Sequence, residues 1–184
     1  MAYNTKDVFY LDTSISTTTG AGDGCATLDL SSYVSPYTKG TTKKGQGLAI
    51  YKVHWDIADS GSNGPVNPAT SGYLRAALLS FSGVPAAAVG GVNLTANQLN
   101  AGNDLCISGF DYFAGSTAEG DPAPYTWLEP STEVPYIVVR DQVALLVEVS
   151  TAISATAIIY ARLECAVVTL DQSVLNQLLR TQTV

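Results

Sequence analysis

The segment Leu48 to Ala58 alternates with period two. Ala49, Tyr51, Val53, Trp55 and Ile57 fall on one face, and Lys52, His54 and Asp56 on the other. Side chains of a strand point to its two faces in turn, so one face is buried and one solvated. Strand-like segments recur at Val8 to Ile15, Cys25 to Leu30, Tyr73 to Phe81, Leu105 to Phe113, Tyr136 to Arg140, Val143 to Ser150 and Thr156 to Leu170. That predicts about eight strands. No long helical pattern separates them, whereas parallel strands need a crossover of about a dozen residues or more. The expected class is all-β, an antiparallel sandwich or barrel.

Composition agrees. The 19 Thr and 16 Ser outnumber the 9 basic and 16 acidic side chains, and 46% of residues are apolar. Disorder needs high charge and low hydrophobicity, and a coiled coil needs abundant Glu, Lys and Leu. A chain of 184 residues is the size of one domain, expected here over 1–184 with an N-terminal arm at about 1–7. Gly20 to Gly24 reads as a hairpin connection. Asp59 to Ser71, Gly83 to Gly91 and Gly115 to Pro135 read as loops, the last without periodicity. Thr95 to Gly102 looks like one or two helical turns.

The C-terminal segment changes period. A helix is predicted over about 171–181, with Asp171 as N-cap and Leu170 stapled onto Leu175. Val174, Leu175, Leu178 and Leu179 share its apolar face, and Arg180 suits its negative end. Periodicity does not say whether the chain's own sandwich or a neighbouring subunit buries that face.

The net charge is -7. Nucleic-acid binding draws on clustered Lys and Arg. The densest basic group, Lys39, Lys43 and Lys44, reads as a solvated loop, so no direct nucleic-acid contact is expected. Cys25, Cys106 and Cys165 form neither a CxxC pair nor a dense disulfide framework. They read as small buried hydrophobes. No secretory leader is expected at Met1 to Asp7, and no apolar run approaches the ~20 residues of a membrane span.

No catalytic constellation stands out. His54 is the sole histidine, and no GxSxG elbow accompanies it. It reads as a polar residue on a solvated strand face or at a subunit contact. Asp111, Glu119, Asp121, Glu129 and Glu133 read as solvated acids, with nothing that specifies calcium. No cofactor or metal is expected, and no enzymatic activity. Tyr33, Tyr37, Tyr112, Phe113, Tyr125, Trp127 and Tyr136 could form a sugar platform or, more in keeping with Tyr and Trp enrichment, interfaces.

About eight antiparallel strands, broad loops at Asp59 to Ser71 and Gly115 to Pro135, and paired late strands at Val143 to Ser150 and Thr156 to Leu170 resemble single-jelly-roll viral capsid proteins. The resemblance implies a jelly-roll β-sandwich with a short C-terminal helix. It implies a self-assembling shell subunit whose partners are copies of itself and other capsid proteins. Such a chain would sit in the virion, after assembly in the host cytoplasm. The interface residues expected are Tyr3 and Phe9 at the N-terminal end, Tyr125 and Trp127 of the long loop, and Val174, Leu175, Leu178 and Leu179. Capsid proteins of small RNA viruses often carry a basic arm. Here Lys6, Lys39, Lys43 and Lys44 are balanced by Asp7, Asp12, Asp23 and Asp29. The alternative reading is a carbohydrate-binding or adhesion module on the same sandwich.

Overall fold

The computed structural model describes residues 7–17, 22–35, 44–62, 64, 66, 72–80, 101–114, 123–149 and 157–182. Tyr3, Tyr37, Lys39, Lys43, Glu119 and Asp121 lie outside the described residues, as do most of the Thr95 to Gly102 turns. The strands are β1 (Phe9–Ser16), β2 (Gly22–Asp29), β3 (Lys44–Asp59), β4 (Gly72–Ser80), β5 (Cys106–Ala114), β6 (Ala123–Leu128), β7 (Tyr136–Val138), β8 (Gln142–Val149) and β9 (Ala157–Asp171). One helix, α1 (Gln172–Thr181), follows β9 directly.

One sheet runs β1-β9-β3-β7 and the other β2-β8-β4-β5-β6. Every pairing is antiparallel. With β6 set aside, the first strand pairs with the last, the second with the next to last, and so inward to β4 with β5. That is a hairpin ribbon wound once around itself, which is a jelly-roll sandwich. The sequence expectation for the fold therefore holds.

The facing sheet surfaces form the core. β4 contributes Leu74, Ala76 and Leu78, β8 Val143, Leu145 and Val147, and β9 Ile159, Leu163 and Cys165. Each fully buried Leu or Ile contributes about 1.5–3 kcal/mol through area removed from water. β1 alternates as expected: Phe9, Leu11, Thr13 and Ile15 are half-buried while Tyr10, Asp12 and Ser14 are exposed.

Two expectations about the strands need correction. In β3 the inward set is not one continuous row. Leu48 and Ile50 enter the core, then Val53 does. A bulge lies between Ile50 and Lys52, opposite Cys165 and Glu164, so Tyr51 has no register partner. One extra residue shifts the phase of every side chain before it. Ala49 therefore points away from the main core although it stands in phase with Val53. Within Gly115 to Pro135, β6 pairs with β5. It is an edge strand, the place where Pro124 is tolerated.

The helix packs on its own chain. Gly45 pairs with Leu170 and Gly47 with Val168, a row alternating with core-facing Leu48 and Ile50. This row lies on the outer surface of the four-stranded sheet. A Cβ at Gly45 would sit 2.6 Å from Leu175 Cδ2, and one at Gly47 would sit 2.9 Å from Leu170 Cδ1. The two glycines leave a notch that the leucines fill. Leu170, Leu175 and Val139 form one buried cluster, so the expected staple is present. Asp171 occupies the N-cap position with extended backbone but makes no side-chain capping bond, contrary to expectation. The far end is held by Gln182. Its Oε1 accepts from Ser80 Oγ and the Val139 amide, both at 3.1 Å, and its Nε2 donates to the Ile137 carbonyl at 2.6 Å.

Candidate functional site

Two polar clusters occupy the outer faces of the sandwich. The first is on the five-stranded sheet. Arg75 of β4 stands opposite Asp111 of β5, which stands opposite Tyr125 of β6. Arg75 Nε donates to Asp111 Oδ1 at 2.8 Å and Nη2 donates to Oδ2 at 2.7 Å. This bidentate geometry is the strongest form of an Arg–carboxylate pair. Trp127 Nε1 donates to the same Oδ1 at 3.1 Å, and the guanidinium carbon lies 5.3 Å from the indole centroid. Hydrogen bonding to Asp111 pushes the Arg75 guanidinium above its ordinary value. Asp111 itself is buried.

Trp127 reaches this position through a local irregularity. Gly109 pairs with Leu128 and Phe110 with Thr126, so Trp127 is the extra residue of a bulge. Its indole lies over Gly109, where a Cβ would collide with the ring. A bulge that re-aims a side chain and a strand glycine that admits it are linked devices. Around this centre stand Tyr73 (42% exposed), Phe113 (52%) and Tyr125 (59%). Tyr73 and Phe113 are direct register partners.

The second cluster is on the outer face of the four-stranded sheet, in three rows across β1, β9 and β3. They are Tyr10–Glu164–Lys52, Asp12–Arg162–His54 and Ser14–Tyr160–Asp56. Arg162 Nε donates to Asp12 Oδ1 at 2.6 Å. His54 Nε2 lies 3.6 Å from Glu164 Oε2. The Tyr10 ring centroid is 5.9 Å from the Arg162 guanidinium carbon and 6.3 Å from the His54 ring. The last two rows line a groove of about 650 Å³.

Burial disfavours the thiolate form of all three cysteines. Burial pushes the Cys106 and Cys165 thiols up to about 12, and raises Cys25 as well. All three are free. Among the described residues no group of three or more His, Cys, Asp and Glu is placed to hold a metal ion. Among the same residues no helix is long and apolar enough to cross a membrane.

The expected interface residues divide. Tyr125 and Trp127 come together, but on strand β6, not in a loop. Tyr125 is exposed, and Trp127 is half-buried in the Asp111 cluster. Phe9 is not free. It stacks on Tyr33 at 5.1 Å and packs against the core. Leu175 is fully buried within its own chain, while Leu178 and Leu179 pack half-buried beside it. Only Val174 of the four helix residues stays exposed. Sequence reasoning missed the pairing of Arg75 with Asp111, and that of Asp12 with Arg162. A signal existed for the first: each is a lone charge inside an otherwise apolar strand.

No protein-family model matches the chain, and no curated protein matches it. Among solved structures it is similar to human polyomavirus 12 VP1 in complex with 3'-sialyllactosamine. The TM-score is 0.38 at 7% identity, over 89% of this chain and 99% of that one.

Proposed function

We propose that the chain is a structural, self-assembling jelly-roll subunit, and specifically a viral capsid protein. The observation that carries this reading is the outer-face patch of Tyr73, Arg75, Phe113, Tyr125 and Trp127 on a complete jelly-roll strand order. Jelly rolls of this order build viral shells and lectin domains. Tyr, Trp, Phe and Arg are the residues enriched where proteins bind proteins. Three of the aromatics stand in water on one sheet face, around an arginine already held in place by Asp111. A fixed anchor loses little freedom on docking. The partners are further copies of the chain and other capsid proteins, and the location is the virion, after assembly in the host cytoplasm. The reading assigns the chain no catalytic role, no cofactor and no direct contact with nucleic acid. Its test is the double variant Phe113→Asp with Tyr125→Asp. Both side chains are more than half exposed, so folding should survive. Loss of high-mass species with unchanged circular dichroism is expected. Undiminished assembly would count against the patch.

A further inference from the structure

We propose that the groove on the outer face of the four-stranded sheet binds a neutral oligosaccharide. It lies on the surface opposite the aromatic patch. The groove lies where β1 and β3 flank β9. Its volume, about 650 Å³, accommodates two or three sugar rings, within the range of small-molecule sites.

The lining chemistry selects the ligand. Asp12 and Asp56 present carboxylate acceptors, Arg162 presents donors, and His54, Tyr160 and Ser14 present groups that can do either. A phosphate or other strong anion would meet the two carboxylates. A cation would meet Arg162. An apolar ligand would strand all these groups without partners. Sugar hydroxyls donate and accept at once, so they match a lining with both signs of charge and no strong net preference. The pyranose face also needs an apolar platform, and Tyr160, 37% exposed, lines the groove.

The polar groups already touch one another in the groove. Asp12 holds Arg162 through Nε at 2.6 Å, which leaves the rest of the guanidinium fork for hydroxyl oxygens. Arg162 is also flanked by the Tyr10 ring, and His54 is flanked by Glu164.

The test is binding of the intact protein to immobilised neutral oligosaccharides built from glucose, from mannose and from N-acetyllactosamine. Saturable binding to at least one is expected. Tyr160→Ala and Asp56→Ala should each weaken it about tenfold, the loss of one good contact. Val134→Ser, at an exposed site outside the groove, should leave it unchanged. Absence of saturable binding to all three would overturn the proposal. So would wild-type affinity in either groove variant, or displacement by inorganic phosphate at millimolar concentration.

Discussion

The indole of Trp127 lies across Gly109, with no space between them for a Cβ. That contact ties the edge strand β6 to the centre of its sheet, because the same indole donates to Asp111, the partner of Arg75. Gly109→Val would lift the ring and break the Nε1 bond. The expected loss is about 1–3 kcal/mol, as for other overpacked sites. A red-shifted tryptophan emission and a lower urea midpoint would report it. An unchanged midpoint would mean that the ring has another place to rest.

Leu175 and Val174 are neighbours with opposite fates. Leu175→Ala should cost about 2–4 kcal/mol, since it empties the notch over Gly45. Val174→Ser, at a 44% exposed site, should stay within about 0.5 kcal/mol of wild type. Thermal melts of the two variants distinguish them. Equal stability would contradict the docking of the helix on its own sheet.

Two arginine–aspartate pairs should differ in worth. Arg75→Met leaves the buried Asp111 carboxylate, among the described residues, with the Trp127 indole as donor. The expected loss is about 1–3 kcal/mol, below that of a fully buried pair because the Arg75 side chain is 38% exposed. Arg162→Met should produce no measurable change, because both partners there are 60% exposed to screening water. Chemical denaturation of both variants is the check, and equal losses would contradict the assignment.

Stability should fall on the alkaline side. Burial pushes Cys106, Cys165 and Tyr136 up to about 12. Their folded values lie above the unfolded ones of about 8.5 for Cys and about 10 for Tyr. The neutral forms are favoured in the fold, so their contribution is complete below the unfolded values and is lost as pH rises through the folded ones. A melting temperature level near neutrality and declining between about pH 9 and 12 is expected. A melting temperature constant across that interval would contradict it.

Much of this architecture was legible in advance because burial on one face imposes period two. β1, β4, β5, β8 and β9 fall within a few residues of their expected limits. β6 was not, because an edge strand of six residues containing Pro124 and a bulge at Trp127 carries almost no periodic signal. The inner face of β3 was half legible, since the bulge at Tyr51 interrupts the alternation without changing the composition. The ownership of the helix face was hidden in Gly45 and Gly47, whose role appears only once β3 lies beside β9. The clusters were the least legible part. Asp12 and Arg162 are 150 residues apart in sequence, and Arg75 and Asp111 are 36 apart. Only the winding of the ribbon brings them together.

The most direct test of self-assembly is the mass of the purified protein in solution, by light scattering with negative-stain imaging of the same peak. A capsid subunit should give closed particles or a megadalton mass. A monomer near 19.2 kDa at every concentration would contradict autonomous assembly.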